Sequence, residues 1–181
     1  MERNFTMIAL FAALIAGLGL VPQITLATGV PITAQSLGVM LCGAVLGARR
    51  GALAAFLFVA LVALGLPLLS GGRGGIGVFF MPTAGFVLGF PFAAFATGWV
   101  VEKWSVPVVL ASFIGAVLGG IGLLYLCGIT GMALALGESW PAAALLALAY
   151  LPGDLLKAGL TALIVHNLAQ LRPQSLLSRA G

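Results

Sequence analysis

Residues 51–72 read GALAAFLFVALVALGLPLLSGG and contain no charged side chain. An α-helix needs roughly 20 predominantly apolar residues to cross the hydrocarbon core of a bilayer, so this stretch predicts one transmembrane helix. Residues 74–101 form a second charge-free stretch of the same kind. The stretch 4–48 is long enough for two helices, with a break near Pro22 and Pro31. The pattern therefore predicts an all-α integral membrane protein.

The composition of the whole chain agrees with this prediction. Of the 181 residues, 62% are hydrophobic and 7% are charged, whereas about 25% charged residues are usual in a soluble domain. Most of the folded surface must therefore face lipid, and we expect residues 1–181 to form a single membrane domain. No strongly basic region precedes the first apolar run and no obvious cleavage site follows it, so we expect a retained helix there.

Six transmembrane helices are predicted from the spacing of the charges. Their predicted bounds are Phe5–Val21, Ala34–Ala48, Gly51–Leu69, Thr83–Val101, Val108–Leu126 and Gly153–Leu171. The second span is short, so it either starts earlier or is shielded by its neighbours. The segment Ser139–Tyr150 is either a separate short helix or the first part of a long last helix that kinks at Pro152.

The positive charges predict the orientation of these spans. If the N-terminus is cytoplasmic, the cytoplasmic side carries Arg3, Arg49, Arg50, Lys103, Arg172 and Arg179. The outer side then carries only Arg73, which is a clear positive-inside bias. We therefore expect a multi-pass protein of the cell membrane with both termini in the cytoplasm. This bias explains the net charge of +4 better than a nucleic-acid partner does.

The stretch LPGDLLK, residues 151–157, carries the only charges inside a predicted span. Asp154 and Lys157 stand three residues apart, on one face of a helix. Ionised groups within a membrane are costly, and they usually face a cavity or the interior of a helix bundle. Because Pro152 and Gly153 interrupt the helix beside them, a ligand-binding role is favoured over the alternative, a structural ion pair.

The stretch GGRGGIG, residues 71–77, lies on the predicted outer side. It contains a G-x-G-x-x-G pattern, but no strand precedes it, so dinucleotide binding is rejected. Its glycines predict a gating loop (Gly72, Gly74, Gly75 and Gly77). Within the loop, Arg73 could bind a ligand carboxylate, since the guanidinium group matches the geometry of that anion. The alternative is a mobile loop with a solvated arginine.

Two weaker signals lie near the start of the chain. Gln35 follows the first outer loop, and its amide could bind a urea-like group or simply cap a helix. In the first span, alanines recur at a spacing of four residues, which lets helices approach closely. These are Ala9 with Ala13 and Ala12 with Ala16. The motifs of ATP-binding loops, zinc proteases and serine hydrolases are absent, and the single histidine argues against a metal centre.

Five segments follow one another as they do in the BioY family, the biotin-binding S components of energy-coupling factor (ECF) vitamin transporters. They are PITAQ (31–35), GLP (65–67), GGRGGIG (71–77), PTAGFVLG (82–89) and PGDLLK (152–157). The chain resembles this family over nearly its whole length. One departure is visible, since many relatives have tyrosine where Phe86 stands, so no hydroxyl contact is carried over at that position.

The resemblance implies a six-helix bundle of the S-component type that binds biotin near the outer side without catalysing a reaction. It implies partners in a transmembrane coupling subunit and ABC-type ATPase subunits, with Ala9, Ala12, Ala13 and Ala16 at the coupling interface. Asp154, Lys157 and Gln35 match family positions that contact the ligand. Beyond the family, Arg73 could bind the carboxylate tail of biotin, and Phe79, Phe80 and Tyr150 could pack on its rings.

Other interpretations of the same residues remain open. The chain could be an S component for another vitamin, such as thiamine or riboflavin. It could also be an intramembrane enzyme that uses Asp154 as a base and Lys157 as its electrostatic partner. A homo-oligomer that works without the coupling subunit is also possible. Neither a metal nor a cofactor is expected, apart from biotin as the transported ligand.

Overall fold

The computed structural model describes residues 2–22, 24–25 and 31–179. Seven helices lie in this part of the chain, and they form a bundle, which confirms the all-α prediction. Their bounds are α1 Glu2–Leu18, α2 Gln35–Leu46, α3 Ala48–Ala63, α4 Ala84–Lys103, α5 Val108–Leu136, α6 Trp140–Leu148 and α7 Leu151–Leu171. The remaining elements are short: an antiparallel pair of β1 (Ile24–Thr25) and β2 (Pro31–Ile32), and single 3-10 turns at Ile76–Phe80 and Pro173–Ser175.

Each predicted span lies on one of these helices, but the bounds of two helices differ markedly from the prediction. Helix α3 ends at Ala63 and not at Leu69, because Gly65 has a φ of +104° and Pro67 follows it. Helix α5 continues past Leu126 to Leu136. By length and composition α4 and α5 can each cross a membrane, and α6 with α7 form a third candidate, although the pair is bent by 59°.

The region before the last span is a separate short helix. Helix α6 ends at Leu148, and α7 begins at Leu151, so the break precedes Pro152. Pro152 lies in the first turn of α7, where its missing N–H leaves no hydrogen bond unmade. Most of the stretch between the fifth and last predicted spans, residues 127–152, is helical, and Cys127 lies inside α5. Hydrophobicity alone does not show whether an apolar run is helical or forms an irregular connection.

Helix α2 is the central element of the bundle. It packs against α1, α3, α4 and α7, and nearly all of its residues are buried. The helix does not start earlier than predicted, since it begins at Gln35. The short span is therefore shielded by its neighbours. A helix that touches so little lipid does not need the full length of a membrane span.

Individual glycines allow α4 and α5 to pack closely. A Cβ on Gly85 of α4 would collide with the carbonyl oxygen of Cys127 in α5 and lie 3.0 Å from Cα of Gly131. Earlier in α5, residues Leu118–Leu123 form a π-helical turn. In this turn a Cβ on Gly119 would collide with the hydroxyl of Thr97. These contacts bring α5 close to α4 along the wall of the bundle.

Several chain segments meet at one end of the bundle. The carboxylate of Glu102 accepts a hydrogen bond from the backbone N–H of Ala48 at 2.9 Å. The hydroxyl of Ser178 donates to the carbonyl of Ala44 at 2.6 Å, which satisfies the C-terminal end of α2. Arg3 donates to the carbonyl of Gln174. The start of α1, the corner between α2 and α3, and residues 173–179 thus share one end, and the site occupies the other.

Candidate ligand-binding site

A cavity opens at the end of the bundle where α2, α4 and α7 begin. It holds about 640 Å³ of unfilled space, a volume that includes the open solvent at its mouth. Its lining consists of Thr33, Gln35, Ser36, Leu69, Arg73, Thr83, Phe86, Val87, Phe90, Leu124, Tyr150, Asp154 and Lys157. The cavity therefore combines an apolar wall with a cluster of polar and charged groups.

The carboxylate of Asp154 is the centre of the polar cluster. Its Oδ1 accepts from the ammonium group of Lys157 at 2.8 Å and from the hydroxyl of Ser36 at 3.1 Å. Its Oδ2 accepts from the phenol of Tyr125 at 2.7 Å. Only 8% of the Asp154 side chain is exposed, so the charge depends on these donors for stabilisation.

Lys157 ties the cluster to the start of α2. Besides Asp154, its ammonium group donates to the carbonyl of Thr33 at 2.7 Å and to the hydroxyl of Ser36 at 3.0 Å. An ammonium group has three N–H donors, so all three are used within the protein. A ligand acceptor can therefore reach Lys157 only by displacing one of these partners.

Arg73 also lines the cavity, in the turn that follows α3. Its Nε donates to the carbonyl of Ser70 at 3.1 Å, and its Nη1 contacts the sulfur of Met81 at 3.7 Å. A guanidinium group has five N–H donors, so most of its donors have no partner among these contacts. Because Asp154 and Lys157 compensate each other, Arg73 gives the described lining a net positive charge.

Gln35 lies at the cavity but uses its amide mainly to hold neighbouring elements together. Its Nε2 donates to the carbonyls of Ile15 at 3.2 Å and Leu68 at 3.0 Å. Its Oε1 accepts from the backbone N–H of Ser70 at 3.1 Å. Both donors are occupied, so the amide retains one acceptor position for a ligand.

The aromatic wall is centred on Phe86. Its ring meets the rings of Tyr125 and Tyr150 edge-on, with centroids 6.0 and 6.2 Å apart. The structure thus brings the predicted Tyr150 to the cavity. Phe79 is partly buried against the bundle core and is not among the lining residues, and the side chain of Phe80 is exposed.

The predicted gating loop forms a hydrogen-bonded turn around Arg73. The backbone N–H of Leu69 donates to the carbonyl of Arg73 at 2.9 Å, and the N–H of Gly75 donates to the carbonyl of Val62 at 2.8 Å. Gly72 and Gly75 have φ angles of +70° and +82°, a conformation that glycine adopts readily. A Cβ on Gly74 would collide with the carbonyl oxygen of Leu66, while Gly77 has open space around it.

The predicted coupling alanines lie on different faces of α1. Ala9 and Ala13 are exposed, Ala12 is buried, and Ala16 is partly buried against the core. Ala9 and Ala13 therefore form an exposed strip of small side chains, whereas Ala12 packs within the chain.

Sequence reasoning missed Tyr125, Ser36 and Thr33 as partners of the charged pair. Tyr125 carried a weak signal, because a buried tyrosine needs a partner for its hydroxyl, but the predicted span ended one residue later, at Leu126. Ser36 follows Gln35 in a helix that is otherwise apolar, and a buried hydroxyl needs a partner in the same way. The contact of Thr33 is made by its backbone carbonyl, which side-chain patterns do not report.

The fold and its cavity define a substrate-binding membrane protein of the S-component type. The structure matches the crystal structure of the S-component for biotin from an ECF-type ABC transporter, with a TM-score of 0.88 and 29% sequence identity, covering 93% of this chain and 92% of that chain. The model of the BioY family matches residues 2–174, and the chain belongs to this family.

Named relatives extend the comparison. The biotin transporter BioY of Rhodobacter capsulatus is 55% identical over 190 residues, which cover 99% of this chain and 100% of that protein. The biotin transporter BioY of Rhizobium etli is 48% identical over 169 residues, which cover 90% of each chain. The prediction of a transport protein rather than an enzyme is thereby confirmed.

Proposed function

We propose that this chain is the biotin-binding component of an ECF-type importer, which captures biotin in the cavity without covalent chemistry. The observation that carries the proposal is the composition of the cavity lining. The Asp154–Lys157 ion pair lies at one side, Arg73 with most of its N–H donors available for a ligand lies at the loop, and an apolar wall lies between them. Biotin has a urea group, an apolar ring system and a carboxylate. These groups would need a polar pair, an apolar wall and a cation as partners, respectively.

In this proposal each polar end of biotin meets a complementary group. The carboxylate tail binds the guanidinium of Arg73. A urea N–H donates to Asp154, and the urea carbonyl takes the place of Thr33 or Ser36 on the ammonium of Lys157. The rings pack on Phe86 and Tyr150, which line the apolar wall. Gln35 contributes its remaining acceptor position and holds the loop that carries Arg73.

Delivery would require partners that power it. We propose a transmembrane coupling subunit and ABC-type ATPase subunits, with the exposed strip of Ala9 and Ala13 at the coupling interface. We also propose one membrane domain of six spans in the cell membrane, with both termini cytoplasmic. The contact between Arg3 and Gln174 supports this, since it joins the two terminal segments at the end of the bundle opposite the cavity.

The test is a binding titration on protein purified in detergent, together with mass spectrometry of small molecules that co-purify. Biotin should bind in the nanomolar to micromolar range, and thiamine and riboflavin should not compete. Absence of biotin binding by folded protein would refute the proposal. Co-purification of thiamine or riboflavin would instead favour an S component for another vitamin.

A further inference from the structure

Tyr125 contacts two lining residues of the cavity without lining the cavity itself. Its phenol donates to Oδ2 of Asp154 at 2.7 Å, and its ring packs edge-on against Phe86. Both of these partners line the cavity, but Tyr125 itself does not. The side chain is buried, so its hydroxyl is committed to Asp154 rather than to solvent. Any effect of Tyr125 on a ligand must therefore pass through its neighbours.

The hydrogen bond determines which acceptor position of Asp154 stays available. Oδ1 already accepts two hydrogen bonds, from Ser36 and Lys157, whereas Oδ2 accepts one, from Tyr125. Each carboxylate oxygen has about two lone-pair positions, so one position on Oδ2 is left. The terminal torsion of aspartate is broad and weakly restrained. The donor on Oδ2 acts together with the two donors on Oδ1 to hold the carboxylate plane in one orientation.

We infer that Tyr125 is a positioning residue for ligand recognition, which orients Asp154 so that the remaining acceptor position on Oδ2 receives an N–H of the ligand. This inference rests on the proposed function of the cavity and adds a determinant of specificity to it. A ligand with an N–H donor at this point is favoured, because a carbonyl or carboxylate oxygen placed there would face an acceptor without a proton between them.

The backbone of α5 supplies a reason for the placement of Tyr125. The π-helical turn Leu118–Leu123 ends two residues before it. A π-bulge contains about one extra residue, which rotates the residues after it by roughly 100° relative to a continuous α-helix. The turn is packed tightly, since a Cβ on Gly120 would collide with the side chain of Met40. The direction of Tyr125 is therefore fixed by a local change in helix geometry.

The test compares Tyr125→Phe with a control that removes another buried hydroxyl. Tyr125→Phe keeps the ring that packs on Phe86, so folded protein is expected. Thr161→Val is the control, because the Thr161 hydroxyl donates to the backbone carbonyl of Lys157 in the same helix and not to Asp154. Tyr125→Phe should weaken biotin binding by about tenfold or more, as expected for loss of a hydrogen bond to a charged group. Thr161→Val should leave the affinity within about twofold of the wild type, well below that loss.

A second measurement separates positioning from a general loss of structure. Asp154 is the only aspartate in the sequence, so aspartate labelled with carbon-13 at its side-chain carboxyl gives one NMR signal from the site. Without ligand, Tyr125→Phe should shift this signal and Thr161→Val should not. If folded Tyr125→Phe binds biotin as the wild type does, or leaves the signal unchanged, the inference is wrong. If the wild type does not bind biotin, the proposed function fails instead, and the labelled signal still reports whether Tyr125 holds Asp154.

Discussion

At the scale of single residues, the ion pair of Asp154 and Lys157 is proposed to bind the ligand as well as to stabilise the fold. Asp154→Asn leaves a nearly buried ammonium group without its counter-ion, so the free energy of unfolding should fall by about 3 kcal/mol. Adding Lys157→Met removes the unpaired charge, so the double variant should recover most of this loss. Thermal unfolding in detergent measures both effects.

Biotin titration of the same two variants distinguishes the roles. Both should bind biotin at least about tenfold more weakly than the wild type, because neither retains the charged acceptor. A folded Asp154→Asn variant with unchanged affinity would remove this residue from the site and leave the pair as a purely structural lock.

The proposed role of Arg73 can be tested by changing the ligand as well as the protein, because the carboxylate of biotin can be converted to an ester. Arg73→Gln removes the positive charge that is proposed to bind the carboxylate tail, so affinity for biotin should fall about tenfold or more. The methyl ester of biotin lacks the anion, so its affinity should be similar in the variant and the wild type. Competition binding with both ligands makes the comparison. An equal loss for both ligands would show that Arg73 acts on the loop and not on the carboxylate.

At this scale the sequence predicted that Asp154 and Lys157 face a cavity, and both residues line one. Asp154 and Lys157 could be predicted because ionised groups in an apolar span need a reason to be there. The contact of Tyr125 with Asp154 joins positions 29 residues apart, and that of Ser36 joins positions 118 apart. Such pairings depend on how the helices are arranged. For the same reason the sequence did not reveal that the amide donors of Gln35 are used within the protein.

At the scale of helices, the crossing of α4 and α5 depends on glycine at position 85. Gly85→Ala places a methyl group against the carbonyl of Cys127 and should lower the free energy of unfolding by about 1–3 kcal/mol. Gly159→Ala in α7 is the matched control, because nothing lies within 4 Å of its added Cβ. That change should be neutral or stabilising by up to about 1 kcal/mol, since alanine favours a helix. Equal melting temperatures for the two variants would contradict the close crossing.

Helix α1 offers a similar comparison for the proposed coupling interface. Ala13→Leu adds a bulky group on the exposed strip, so biotin uptake by cells with the complete transporter should fall sharply while biotin binding stays unchanged. Ala12→Leu faces the core, where Ala12 is buried, and should mainly lower the melting temperature. Uptake at the wild-type level with Ala13→Leu would place the coupling subunit elsewhere.

The predicted helix bounds were least accurate where backbone signals were weak. The positions of the charges and of Pro107 set the start of α5, and the stop signal of Gly137, which has a left-handed backbone, was missed at its end. Nothing in the apolar run 108–136 marked its π-helical turn. The end of α3 was missed because Gly65 and Pro67 were assigned to the membrane span on hydropathy alone. Hydropathy indicates whether a segment is suited to lipid or to water, but it does not indicate where the helical hydrogen bonds of its backbone end.

At the scale of the whole molecule, Arg3 and Arg179 lie at the end of the bundle opposite the cavity. The cations Arg3 and Arg179 contact the C-terminal tail and the connection before α5, whereas Arg73 lies at the cavity. The sequence predicted this division, because the positive-inside rule depends on where charges fall along the chain and requires no tertiary contact. An outward cavity would let biotin enter from outside while the charged end stays in the cytoplasm.

Cysteine labelling tests this orientation in intact cells. In a background with Cys42→Ala and Cys127→Ala, we expect Ser139→Cys to react with a membrane-impermeant maleimide, because the exposed Ser139 lies on the connection before α6. Ser105→Cys, exposed between α4 and α5, should react only after the cells are made permeable. Retained biotin binding shows that each variant is folded. The reverse labelling pattern would turn the cavity toward the cytoplasm, and capture from outside would then be impossible by this route.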